Sequence, residues 1–279
     1  MGAVVQVVTL APSPAPSVGV TVTGLGATPT VFNVWRTAAG RRTLIRGGGN
    51  RETVDSDYVI DDEVPFNIVA SYDVEIISGP TITQPTTAAS ITVPSTRGWL
   101  QDPLVPGSAI AIDATHRTDG APVLRATALS ELMYAADVSL MQVIGSTDPV
   151  ALIGQRASAS GVDFDMVTKA AEQSNNLRDL IMSGGPLLIR PVAPWGNSLP
   201  PLCYIAAAGV SELPKRAQLG DDTVDWLIKA PLIKGPSMDV LVPRWTWGDV
   251  EALYATWQQI ETALAGKTWL DVIKSPSGA

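Results

Sequence analysis

The only histidine, His116, stands in IDATHRTDG between Asp113 and Asp119. A carboxylate-held histidine can serve as general base to a serine. The chain has no G-x-S-x-G elbow to supply that serine and no second histidine for a metal pair, so His116 is read as a surface or turn residue. Asp61-Asp62-Glu63 and Asp221-Asp222 lie beside strand-like runs, and the spacing of Asp55 and Asp57 would suit calcium. The EF-hand pattern is absent, and solvated turns are expected for all of them. Gly47 to Gly49 lacks the Gly-Lys-Ser/Thr of a phosphate loop and is read as a hairpin turn. Cys203 lies in the apolar run LCYIAAAGV; with no second cysteine to bridge, it is expected to be a core residue. No base, nucleophile and oxyanion site assemble from these residues. No catalytic, cofactor-binding or metal-binding residue is therefore expected, and the chain is not read as an enzyme.

The elements that surround these residues are mostly strands. With 279 residues the chain can hold two domains with cores of their own. A formal charge of -8 and no basic stripe argue against a nucleic-acid partner. The first residues, MGAVVQVVTLAPSPAP, lack the features of a signal peptide, and Gln6 stands where a myristoylation signal needs Ser or Thr. No apolar run approaches the ~20 residues of a membrane span, so assembly in a cytoplasm without membrane insertion is expected.

Residues 1–95 read as about seven short strands with alternating burial. Val18, Val20 and Val22 open the pattern, TVFNVW (30–35) follows, and Val64, Phe66, Ile68, Ala70 and Tyr72 fall on one face. Trp35 would be the central core aromatic of this sandwich. The segment resembles a fibronectin type III module through Trp35 and the strand order, with Ile68 where such modules usually keep a core tyrosine.

Prolines and glycines in STRGWLQDPLVPG suggest a linker over 96–107, and a second domain then spans 108–242. It contains strands at AIAID, APVLRATA, SELMYAADVSLMQVIG, PLLIRPV, LCYIAAAGVSEL and TVDWLIKAPLI. A helix is predicted at about 170–182, with Gly184 placed to end it. This amounts to a mainly β domain with one inserted helix. The order of Val150 to Gly161, Leu177 to Pro191, the segment Trp99 to Pro103 and the closing Thr-Trp repeats resembles the hub domain of siphophage distal tail proteins, as found in minor tail proteins of phages of actinobacteria. The resemblance implies a structural virion protein that assembles into a ring, most often a hexamer, and joins the tail tube to the tail tip. In that family the hub often comes first, whereas here a sandwich precedes it.

The tail 243–279 repeats Thr246-Trp247, Thr256-Trp257 and Thr268-Trp269, each pair followed three residues beyond the tryptophan by Val or Ile. Trp247, Val250, Tyr254, Trp257, Ile260 and Leu264 form one apolar stripe if a single helix runs over about 247–265, broken at Gly266 before a short helix from Trp269. The alternative is three short helices, each capped by its threonine. The seven residues Trp247, Val250, Tyr254, Trp257, Ile260, Leu264 and Trp269 are the candidate interface. The stripe could fold onto its own domain, dock on another subunit or a neighbouring tail protein, or stack on carbohydrate. A glycan-binding, receptor-recognising tail module is the second functional reading.

Overall fold

The computed structural model describes residues 3–12, 14–79, 88–113, 120–156, 158–193, 195, 198–215, 220–238 and 247–268, without the side chains of 247–249. The protein is mainly β, with several sheets and little helix. Two compact units divide the chain: Met1–Ser95 with Pro236–Ala279, and Thr96–Gly235.

The first unit holds β1 (Val4–Leu10), β2 (Ser17–Thr23), β3 (Thr30–Ala38), β4 (Arg41–Leu44), β5 (Arg51–Thr53), β6 (Asp57–Asp61), β7 (Val69–Ser78) and β8 (Ala89–Thr92). One antiparallel sheet runs β1-β2-β6; the other runs β4-β3-β7-β8, with β5 also on β3. Val18, Val20 and Val22 of β2 and Phe32, Val34 and Tyr72 of the second sheet have no exposed surface, so the two layers enclose one core.

Three expectations need correction here. Trp35 is only half-buried, because the alternation of β3 turns Phe32, Val34 and Arg36 inward and Trp35 outward. Its Nε1 donates to Glu75 Oε2 at 2.7 Å, and Arg42 lies over its ring at 4.4 Å. The buried tyrosine of this sheet is Tyr72, four residues beyond the half-buried Ile68. The Gly47–Gly49 loop is not a hairpin turn: β4 and β5 both pair with β3, so the loop is a jog in one edge of the sheet.

The second unit contains β9 (Gly98–Asp102), β10 (Val105–Ile112), β11 (Val123–Leu124), β12 (Ala136–Met141), β13 (Val150–Arg156), β14 (Val162–Asp163), β15 (Met166–Thr168), α1 (Ala171–Met182), β16 (Leu187–Arg190), β17 (Cys203–Ile205), β18 (Gly209–Pro214), β19 (Val224–Ala230) and β20 (Leu232–Ile233). Its sheets are β10-β9-β16-β17-β20, β11-β15-β19-β14 with β18 on β19, and the separate pair β12-β13. Leu100, Ile189 and Ile205 of the first sheet share a core with Met166, Trp226 and Ile228 of the second and with Leu177 and Leu180 of α1.

Residues 96–107 are thus not a linker. Gly98–Asp102 pairs with both β10 and β16, and Pro103 sits in the hairpin turn, where the Leu104 amide donates to Asp102 Oδ1 at 2.8 Å. The runs LCYIAAAGVSEL and TVDWLIKAPLI each break into two strands in different sheets. The second breaks at Pro231, which has no amide proton for a ladder. Helix α1 lies where the periodicity put it, and Gly184 follows it at φ +73°, a conformation that costs glycine little.

The last described elements are α2 (Trp247–Leu253) and α3 (Trp257–Ala263), two short helices in place of the single helix over 247–265. Thr256 is extended (φ -143°, ψ 151°), its hydroxyl accepts the Gln259 amide, and Gln259 Oε1 accepts the Ala255 amide at 2.8 Å. This near-reciprocal cap stops one helix and starts the next, which a continuous stripe of apolar residues does not reveal.

Candidate assembly surfaces

The candidate interface residues divide into three groups. Trp269 lies outside the described residues, as do His116, Asp119 and the third Thr-Trp helix, and nothing describes the Trp247 side chain. Val250, Tyr254, Ile260 and Leu264 are half-buried, while Trp257 is 69% exposed. No residue of α3 is buried. The break at Thr256 separates Val250 and Tyr254 from Trp257, Ile260 and Leu264, so the residues do not form one helical stripe.

A larger uncovered apolar surface lies on a segment that periodicity did not single out. Strands β12 and β13 pair only with each other among the described strands, and every residue of β13 is exposed. The register sets Val138 opposite Ile153 and Leu140 opposite Ala151 on one face, and Ser139 opposite Leu152 and Met141 opposite Val150 on the other. Leu140 is 64% and Ile153 69% exposed on the first face; Met141 is 55% and Leu152 58% exposed on the second. Strands apolar on both faces normally occur where both faces are covered.

The hairpin is well formed despite its exposure. Its ladder is continued at the base by a bridge between Met133 and Ser160, and Arg156 Nη1 donates to the Tyr134 carbonyl at 3.1 Å. At the tip, the Ser146 amide reaches the Val143 carbonyl (3.1 Å), Ser146 Oγ donates to the Asp148 carbonyl (2.9 Å) and Gln142 Nε2 donates to the Ser146 carbonyl (2.7 Å). Val143 and Ile144 are exposed within this tip. The sequence signal for the surface is two neighbouring runs, ADVSLM and VALIGQR, that fail to alternate cleanly between apolar and charged residues.

The run Asp61-Asp62-Glu63 and Asp57 differ from the solvated turns expected of them. Asp61 and Glu63 are buried. Arg36 Nη1 donates to both Asp61 oxygens (2.9 and 2.7 Å) and to the Glu63 carbonyl (2.8 Å), while the Tyr72 hydroxyl donates to Asp61 Oδ2 at 2.8 Å. Arg46 Nε donates to Glu63 Oε1 (2.7 Å) and Arg46 Nη1 to the Ser237 carbonyl (2.7 Å). Burial lowers the Arg36 pKa, but Asp61, Tyr72 and Glu63 outweigh it and leave it raised. Burial, then Asp61, push the Tyr72 hydroxyl far above its ordinary value. Asp57 is likewise buried and held by Arg51, with one contact at 2.8 Å, so its carboxylate is engaged by a guanidinium. Asp221 and Asp222 do lie in a turn, where Asp221 Oδ1 accepts the Thr223 amide at 2.9 Å.

Cys203 is buried in β17, and burial pushes its thiol up to about 12. Among the described residues, no three His, Cys, Asp or Glu side chains group so as to hold a metal ion, and no helix is long and apolar enough to cross a membrane. A small apolar cavity in the second unit is lined by core residues including Leu100, Phe164 and Ile228.

Comparison with protein-family models, curated proteins and solved structures gave no match to this chain.

Proposed function

We propose that this chain is a non-catalytic structural component of a siphophage virion tail, of the distal tail or minor tail kind, that assembles as a ring between tail tube and tail tip. The observation that carries the assembly reading is the β12–β13 hairpin, apolar on both faces and exposed on both. An enzyme needs a cleft with convergent polar groups, whereas a part of an assembly needs surfaces that other protein covers. The tail location itself rests on resemblance: a β unit with one helix, α1, between β15 and β16, following a sandwich of fibronectin III-like kind. Strands β1, β2 and β6 facing β3, β4, β7 and β8 support that last reading, although Trp35, which suggested it, lies on the outer face.

Antibody to this chain should label one end of the tail in phage particles produced from the genome that encodes it. Purified particles that contain no peptide of the chain by mass spectrometry would overturn the reading. Exposed Trp257 favours a second function, stacking on a host-surface glycan. In that case sugars would quench or shift tryptophan fluorescence, and Trp257→Ala would abolish the change.

A further inference from the structure

We propose that the β12–β13 hairpin is the self-association element of this protein, held through both of its faces by further copies of the same chain. The inference rests on the assembly reading above and names the partner and the segment. Several occupants are disfavoured by the chemistry of the stretch. Between Ala135 and Ile153 there is no aromatic ring for a sugar to stack on. The charges of the hairpin are Asp137, Asp148 and, at the end of β13, Arg156, a net charge of -1 with no basic cluster, so neither nucleic acid nor an anionic lipid surface is attracted. A two-stranded ribbon also leaves unpaired amides and carbonyls along both outer edges, which a bilayer interior does not tolerate outside a closed barrel.

A protein surface satisfies all three conditions. It can cover apolar side chains, pair strand edges, and do so without charge. The area is of the right size for a copy-to-copy contact. Val138, Leu140 and Ile153 on one face, Met141, Val150 and Leu152 on the other, and the tip together offer on the order of 600 Å² of apolar surface, about 300 Å² to each face, which is enough for the apolar centre of each contact within the ~800 Å² that a partner gives to a stable interface. One isologous contact would cover a single face. Two apolar faces call for a hairpin clasped between surfaces, as happens when each subunit of a closed ring reaches its neighbours through a heterologous contact. The tip, with its internal hydrogen bonds, keeps the ribbon formed before it docks.

The test is the mass of the full chain by light scattering across a concentration series, beside two double variants. Leu140→Glu with Ile153→Glu charges one face; Met141→Glu with Leu152→Glu charges the other. All four residues are exposed, so both variants should keep a cooperative melt and the near-ultraviolet signal of buried Trp226. The expected result is an oligomeric wild type and two variants of monomer mass, with self-association weakened ~100-fold or more by the unpaired charges. A wild type that stays monomeric at every concentration overturns the proposal. So does a folded variant of either kind that keeps the wild-type mass. A monomeric wild type that binds neutral phosphatidylcholine vesicles would assign the hairpin to lipid instead. Failure here is separable from failure of the tail reading, because self-association is measured on the isolated chain and tail labelling on particles.

Discussion

Arg36 and Asp61 form a buried ion pair in the first unit, and each is a buried charge hydrogen-bonded to the other. Arg36 crosses from β3 to β6, Tyr72 joins from β7, and the three side chains tie the two sheets together. Asp61→Asn should cost about 3–5 kcal/mol in urea unfolding, since it takes from the buried guanidinium the carboxylate that is hydrogen-bonded to it. Tyr72→Phe should cost about 1–3 kcal/mol, and the double variant less than the sum of the two. Cys203 gives a pH-dependent prediction. Its folded-state pKa is raised, so its contribution is complete below the ordinary thiol pKa near 9 and is lost as pH rises toward about 12. Cys203→Ala should flatten the alkaline loss of stability over that window, and the native thiol should react with a disulfide reagent only in denaturant. The sequence made Cys203 legible because apolar neighbours flank it. It did not make Arg36 legible, since the carboxylate that allows its burial is 25 residues away. Trp35 failed for a related reason: alternation separates the two faces of a strand but does not say which faces inward, and Glu75 and Arg42 give the indole partners outside.

At the scale of elements, helices were readable where their ends carry strong signals. Helix α1 combines buried Leu177 and Leu180 with Gly184 beyond its end, and Trp226 Nε1 donates to Thr168 Oγ1 (3.0 Å), which lies 2.7 Å from Ser174 Oγ on the helix. Gly184→Ala should destabilise the second unit by about 1 kcal/mol, measured by its thermal midpoint, because alanine resists φ +73°. In the C-terminal segment two true signals conflicted: a 3- and 4-residue apolar spacing and a threonine cap inside it. The cap prevails at Thr256. Thr256→Ala should therefore weaken α3 by ~1 kcal/mol, seen as faster amide exchange from Ile260 to Leu264. Strand β12 lies within the run SELMYAADVSLMQVIG that reads as a strand, but the isolation of the β12–β13 hairpin was not legible. Whether a third strand joins a pair is decided by the rest of the fold, and neither run encodes that.

For the whole molecule, the punctuation of the sequence misplaced the boundaries. Residues 96–107 hold β9, the turn at Pro103 and the start of β10, all inside the second unit, and the chain passes between units at Ser95–Thr96 and Gly235–Pro236. The second unit is thus an insertion into the first. Residues 96–235 expressed alone should fold, with Trp226 buried and a cooperative melt, because the described residues of their core all lie within those limits. Residues 1–95 alone should melt lower than the first unit in the full chain. They lose the carbonyl of Ser237 that Arg46 holds and that of Met238, which accepts the Gly47 amide at 3.2 Å.

That clasp has a consequence for the order of events at the ribosome. Arg46 and Glu63 are made early, yet the carbonyl that completes their arrangement belongs to Ser237 and follows the entire inserted unit. At ~5–20 residues per second the sandwich waits roughly ten seconds or more for its last partner. The inserted unit can fold in that interval, and closure of the clasp marks a chain whose second unit has already been synthesised.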